Sequence, residues 1–458
     1  MTRWLPGVAL LAGCAHYAPQ PLDTTAMVDD WRGRTLVDTA LLRTVTERAG
    51  APQDGAWTAA QFAAAAVERH ADVAEARAVL EVARAGEITA GARPQPGLSG
   101  EIGRATDPGP FESAWFGSVT LSVTIELGGK RGARIAAARA RTATAAVDAS
   151  GVAWAVALGT HEAHVAAVAA DSLVAATDRE HDELAVLMAS ARRRLEAGEV
   201  APGELARLAS EQAALEVERI RVAGQRERSR QDLARALAVP RAQLSDVVPR
   251  PDLVDGCRAT SGIGTAELEA RALVQRAEVG RALAAYAVAE AELRLEVART
   301  WPDLVLGPGF VWDGGVNRWN LLGALPRLPL DRNRGPIAEA TARREAAGVH
   351  VSAVQQAVLA DVATAHAACA GALHELSTAD SALRALSGEA AAVGRAVERG
   401  ERGERDRLAM ALVQARAERV RQLAATRVAD AGLALERAVG SWLAAPAPTL
   451  DTRMEQTR

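Results

Sequence analysis

From Ala133 to Glu196 the sequence contains no proline and only two glycines, Gly151 and Gly159. Proline would delete a helical hydrogen bond and clash with the preceding turn, so its absence over this run predicts one continuous helix. With the α-helical rise, that is a rod about 100 Å long. Gly198-Glu-Val-Ala-Pro-Gly203 ends it, and a second helix is expected from about Glu204 to Ala238. Its Leu205, Leu208, Leu215, Val222 and Leu233 follow a three-and-four spacing interrupted by Gln212, Arg219 and Arg226. Such a hairpin is too slender for a thick core of its own, so its stripe must be buried against neighbours. Aromatic residues make up only 3% of the chain, in keeping with long alanine-rich helices. The formal net charge of −4 excludes the basic footprint of a nucleic-acid binder.

The rod follows a different pattern. Along Trp115–Ile125, Trp115, Val119, Leu121, Val123 and Ile125 alternate with Phe116, Ser118, Thr120, Ser122 and Thr124. This period of two predicts a strand with one apolar and one mostly hydroxyl face. Leu98–Arg104 is a shorter strand candidate, joined to it through Pro108, Gly109 and Pro110. No continuous apolar run is long enough for a membrane-spanning helix, so a membrane crossing would need a closed β-barrel. The alternation fits a barrel strand and a half-buried soluble hairpin alike.

The whole pattern recurs. Val73 and Val279, Pro96 and Pro302, and Leu98 and Leu304 stand 206 positions apart. Beyond the strands the offset is 202, pairing Ile135 with Ile337, Arg141 with Arg343, Gly198 with Gly400, Gln212 with Gln414 and Leu233 with Leu435. The second copy reads as a helix over Glu267–Arg299, strands at Val305–Trp312 and Val316–Leu325, a rod to about Arg399, a break at Gly400–Gly403 and a last helix. The expected layout is a signal peptide at 1–13, an extended arm at 14–56, a first repeat at 57–238, a linker at 239–264, a second repeat at 265–445 and a polar tail at 446–458. The first copy is expected to be helical without interruption from Trp57 to about Arg93.

At the N-terminus, Arg3, the apolar Trp4–Leu11 and then Leu11-Ala12-Gly13-Cys14 have the form of a bacterial lipoprotein cleavage box. Cleavage there would leave Cys14 carrying a diacylglycerol and an N-acyl chain. Ala15 follows, where lipoproteins kept in the inner membrane often have Asp. Cys257 and Cys369 would remain in the mature chain, and the sequence leaves their pairing open.

Two helix–hairpin–helix units behind a lipobox resemble the TolC-type outer-membrane efflux protein family. Glu126-Leu-Gly-Gly-Lys-Arg131 and Pro329-Leu-Asp-Arg-Asn-Arg-Gly335 are similar to the junctions of its CzcC-like heavy-metal branch. The resemblance implies a mainly α chain with a small β part and a homotrimer in the outer membrane of a Gram-negative bacterium. Twelve strands would form its barrel, continued by a periplasmic α-helical barrel. It also implies a passive duct rather than an enzyme, with no cofactor besides the lipid. Its partners would be a periplasmic adaptor and an inner-membrane RND-type pump, with no nucleic acid. The cargo would be heavy-metal cations. Alternatives are the same duct carrying drugs or small organics, and a lipid-anchored periplasmic coiled-coil scaffold without a pore.

Within that frame, Gly128, Gly129, Lys130 and Gly335 are read as the bend from strand to rod, since the glycine spacing is not that of a phosphate loop. Lys130, Arg131 and Arg134 are expected to be solvated or near lipid phosphates. His164 and His366 are repeat equivalents; packing in the helical wall is favoured over a metal site. The better functional candidates are the helix tips. Glu199 and Glu401 correspond, as do Glu204 and Asp406, giving acidic rings in a trimer with Arg405, and also Arg402 and Arg407, available to lock them. Gly198, Gly203, Gly400 and Gly403 mark the tips that would meet the adaptor.

Overall fold

The computed structural model describes residues 17–443 apart from 108, 110–112, 251–255, 314 and 327–329. The signal segment, Cys14, Pro329 and the polar tail lie outside the described residues.

The segment read as an extended arm is helical instead. Helix α1 (Thr24–Gly33) starts under the side chain of Asp23, and α2 (Thr39–Ala49) under that of Asp38. Both carboxylates accept hydrogen bonds from first-turn amides, the expected use of Asp at a helix start. The arm is also anchored: Leu36, Leu41 and Val45 enter a core with Trp57, Phe62, Leu233 and Leu237. Short strand β1 (Ala56–Trp57) leads into α3 (Ala59–Arg69), whose start is a capping box between Thr58 and Gln61. Helix α4 (Ala71–Gly91) follows.

The single helix expected from Trp57 is therefore two, broken at His70 with φ −69 and ψ 132. No proline or glycine marks that break. After β2 (Gly97–Arg104) and β3 (Trp115–Ile125) come the rod α5 (Lys130–Glu196), of 67 residues, and α6 (Pro202–Ala236). The linker is structured: a 3-10 turn at Arg241–Asp246, strand β4 (Val248–Pro249) beside β1, and α7 (Gly256–Ala259).

The earlier order then returns as α8 (Thr265–Gln275), α9 (Ala277–Ala298), β5 (Leu304–Asp313), β6 (Val316–Ala324), the 65-residue rod α10 (Arg334–Glu398) and α11 (Glu404–Val439). Arg276, 206 positions after His70, carries the same bend at φ −64 and ψ 124. Arg219 donates to Asp178 at 2.7 Å, and 202 positions on, Arg421 donates to Asp380 at the same distance.

Each rod contains an 18-residue window of mean hydropathy 1.2, long and apolar enough by composition to cross a membrane, where the sequence reading found none. Alanine and valine make these windows by averaging, without a continuous apolar run. Cys257 of α7 and Cys369 of α10 form a disulfide with Cα atoms 5.3 Å apart, which answers the pairing left open by the sequence. It sits in a core with Leu268, Val279, Val362 and Leu435.

Candidate functional site

The sheet runs β2-β3-β5-β6, antiparallel throughout, with β2 and β6 at its two edges. Its register sorts the side chains. Leu121 pairs with Leu98, Val119 with Phe310, and Phe310 with Trp319, so one face is apolar across all four strands. The other face carries Ser118, Thr120 and Asn320, the last two on either side of Gly309. A Cβ on Gly117 would lie 2.6 Å from the Trp312 ring, so that glycine lets the indole lie flat across the strand. The apolar face is exposed: Trp319 is 84% and Leu98 75% accessible.

Where sheet becomes rod, Gly128 and Gly129 adopt φ 71 and 73. A side chain on Gly128 would also strike Trp301, at 2.5 Å. The second bend is made by Arg332 and Asn333, at φ 53 and 57. Gly335, expected to bend, is inside α10 instead. Asn tolerates the left-handed region, and its amide donates here to the Glu296 carbonyl at 2.9 Å, fastening the bend to α9.

The basic side chains of the first junction have partners within the chain, and Arg131 is also exposed to solvent. Lys130 Nζ is 2.6 Å from Asp303, and Arg134 grips Glu126 with two nitrogens at 2.6 and 3.2 Å. Arg131 and Arg134 also donate to the carbonyls of Gly91, Ala90 and Ala92, capping the C-terminal end of α4, where cations are favoured.

At the far ends of the rods the two copies share one cap. The Gly198 amide donates to Leu195 and the Glu199 amide to Arg194; Gly400 and Glu401 donate to Val397 and Ala396 in the same way. Gly198 and Gly400 take φ 75 and 74, which a glycine supplies without strain. This fixes Glu199 and Glu401 at equivalent places. Pro202 begins α6, placing Gly203 in its first turn, while Gly403 is the N-cap of α11.

The tip charges pair unequally. Glu199 meets Arg194 at 3.3 Å and Glu401 meets Arg399 at 2.7 Å, each within its own hairpin. The Arg399 bond holds the Glu401 carboxyl below its usual range. Among the described tip residues, Arg405 alone reaches across between hairpins, to Glu204 at 3.0 Å. Arg407 turns to Glu404 on its own helix, and Arg402 and Asp406 have no ion pair among the described residues.

A deeper cross-hairpin cluster escaped the sequence reading. Glu180 of α5, 4% exposed, accepts from Arg416 at 3.1 Å and Arg419 at 2.6 Å of α11; Arg416 also reaches Glu211 of α6 at 2.8 Å. Partners more than 200 positions apart leave no local signature.

The histidines sit in the wall. His164 is fully buried beside Phe62, with ring centroids 5.5 Å apart, and His366 lies 2.8 Å from the Thr265 hydroxyl. His161 packs on Trp442 at 5.2 Å and lies 3.6 Å from Glu436. Burial, and then the neighbouring His164, push its pKa down to about 4, so this contact is not an ion pair at neutral pH. Among the described residues no group of three or more His, Cys, Asp or Glu side chains could hold a metal ion.

The layout of tips, rods and four-stranded sheet has known counterparts. Residues 63–239 match the outer membrane efflux protein family. A curated relative, the cobalt-zinc-cadmium resistance protein CzcC of Cupriavidus metallidurans, is 29% identical over 224 residues, 48% of this chain and 52% of its own. The match thus spans about half the length of that relative. Among solved structures, the outer membrane protein VceC of Vibrio cholerae superposes with a TM-score of 0.65 at 15% identity, over 84% of this chain and 96% of VceC. The open state of the MtrE outer membrane channel of Neisseria gonorrhoeae gives 0.65 at 18% identity, over 85% and 91%. These likenesses establish a mainly helical fold of the TolC type with a small sheet, as the sequence resemblance implied.

Proposed function

We propose that three copies of this chain close their sheets into one twelve-stranded outer-membrane barrel and continue it into the periplasm as a helical tunnel. The sheet carries this reading. Its apolar face is exposed on β2, β3 and β6 and half-buried on β5, and its β2 and β6 edges have no partner strand among the described residues. An open edge is not viable in lipid, and in water the same face would aggregate. Closure against further copies answers both. A periplasmic scaffold would need neither the apolar face nor the hydroxyl-lined one.

The protein is then a passive exit duct of a tripartite efflux system, not an enzyme. An RND-type inner-membrane pump supplies the energy, and a periplasmic adaptor meets the tips at Gly198, Gly203, Gly400 and Gly403. Lipid on Cys14 fastens each copy to the outer membrane. In the trimer Glu199 and Glu401, and Glu204 and Asp406, form acidic rings that draw cations toward the tunnel mouth. The Arg405–Glu204 pair holds that mouth narrow. Heavy-metal cations are the favoured cargo over organics, supported by the similarity to a protein named for cobalt, zinc and cadmium resistance. Deleting the gene tests the cargo. Sensitivity to divalent cobalt, zinc or cadmium should rise, with tolerance of organic toxicants unchanged; the reverse outcome assigns the duct to organics.

A further inference from the structure

All helical connections leave the sheet from one end. Helix α4 leads into β2, β3 leads into α5, α9 leads into β5 and β6 leads into α10, while β2 joins β3 and β5 joins β6 at the opposite end. With the rods in the periplasm, that opposite end faces the outside of the cell. Strand β3 has 11 residues. A rise of about 3.4 Å per residue and a tilt of about 40° give it a height of about 26 Å, which matches the apolar band that a barrel presents to lipid. Ile125 thus stands at the inner edge of the band and Trp115 at the outer edge.

The apolar face carries a single charge. The register sets Arg104 directly opposite Trp115, on the apolar side of β2. Every other position on that side of the four strands is apolar or glycine, apart from the amide of Asn317. Arg104 is exposed, and its guanidinium carbon lies over the Trp115 ring, 5.9 Å from the centroid. It forms no ion pair among the described residues. The other cations near the sheet differ: Arg318, on the hydroxyl-bearing face, meets Asp313 at 3.3 Å, and at the inner edge Lys130 and Arg134 meet Asp303 and Glu126 at 2.6 Å. A cation is costly against hydrocarbon at the bilayer midplane and nearly free of cost beside the headgroups. There its natural partner is an anion of the lipid itself. The ring face holds the guanidinium in place, and its N–H edge remains available for a two-pronged bond to phosphate.

We propose that Arg104 and Trp115 form a headgroup site for lipid A, the phosphorylated glucosamine lipid of the outer leaflet, one site per chain. Arg104 donates to a lipid A phosphate, and Trp115 lies where sugar meets acyl chain. The site rests on the barrel reading, which turns this face toward lipid. It also gives the barrel a polarity: the outer edge offers an unpaired arginine, whereas Lys130 and Arg134 at the inner edge are already neutralised within the chain. Binding at Arg104 fixes how deep the barrel sits in the membrane.

The test is a titration of the full-length protein in detergent with bisphosphorylated lipid A, read by native mass spectrometry. Arg104→Leu should weaken binding about tenfold, the lower end of what a charged hydrogen bond contributes. Lipid A stripped of its phosphates should bind the parent as weakly. Arg318→Leu removes a cation from the other face and should leave the affinity unchanged. Parental affinity in Arg104→Leu would overturn the proposal. So would an equal loss in Arg318→Leu, which would mean attraction to charge in general, or displacement of lipid A by an equal amount of phosphatidylglycerol, which would mean a site for any anionic lipid. Conductance separates the two readings. A conducting protein that fails these tests refutes the headgroup site and leaves the duct intact, whereas a protein that inserts no pore has no lipid-facing side and overturns both.

Discussion

Removing the Glu180 carboxylate should loosen the two hairpins of one chain from each other. The side chain is almost fully buried and accepts two charged hydrogen bonds, from Arg416 and Arg419. A hydrogen bond to a charged group contributes about 1.5–3 kcal/mol, and breaking a buried pair costs about 3–5 kcal/mol. The arginine side chains are 42% and 25% exposed, so water screens part of the loss, and about 2–3 kcal/mol is expected for Glu180→Ala. The assay is denaturant or thermal unfolding in detergent, followed by helical circular dichroism. A control comes from the chain itself: positions 382, 214 and 217, the counterparts of Glu180, Arg416 and Arg419, are Ala, Ala and Val. The triple variant Glu180→Ala/Arg416→Ala/Arg419→Val removes the stranded arginine charges, leaves Glu211 paired with Arg207 alone, and should recover at least half of the loss. A single variant within about 0.5 kcal/mol of the parent, or a triple variant no better than the single, would refute the reasoning.

Three further outcomes follow from the geometry. The Cys257–Cys369 disulfide joins positions 112 apart, so loop-closure entropy predicts a loss of about 5 kcal/mol for Cys257→Ser/Cys369→Ser, read as a lower unfolding midpoint that reductant no longer shifts. His161 has a folded pKa of about 4, below its unfolded value, so its neutral form favours the fold. Its contribution is complete above pH ~6.5 and is lost as pH falls toward 4, by about 3 kcal/mol; melts of His161→Leu should show a flatter acid limb than the parent. Arg405→Ala removes a half-exposed pair, so the melting temperature should hardly change while single-channel conductance rises; unchanged conductance excludes Arg405–Glu204 as the constriction.

Much of the framework was legible because it is periodic. The alternation along Trp115–Ile125 gives strand and face together, and a proline-free run gives a rod whatever its neighbours. Glycine marked Gly198 and Gly400 because a helix cap there needs positive φ. The bends at His70 and Arg276 were not legible, since good helix formers stand on both sides and tertiary packing sets the break. The second junction hid its bend for a related reason: Arg332 and Asn333, not a glycine, take the left-handed conformation. The arm was misread although Asp23 and Asp38 both cap helices; its prolines suggested extension, while Leu41 and Val45, four apart, mark the buried face of α2. At the candidate site the repeat placed Glu199 and Glu401 at equivalent caps, but the partners of the tip carboxylates depend on which hairpin each arginine faces.

Conductance across a planar lipid bilayer tests the central claim most directly. Purified full-length protein added to one side should give discrete, stepwise, cation-preferring currents, and the Glu199, Glu204, Glu401 and Asp406 quadruple alanine variant should lower that cation preference. A correctly folded protein that inserts no conducting steps would contradict the duct.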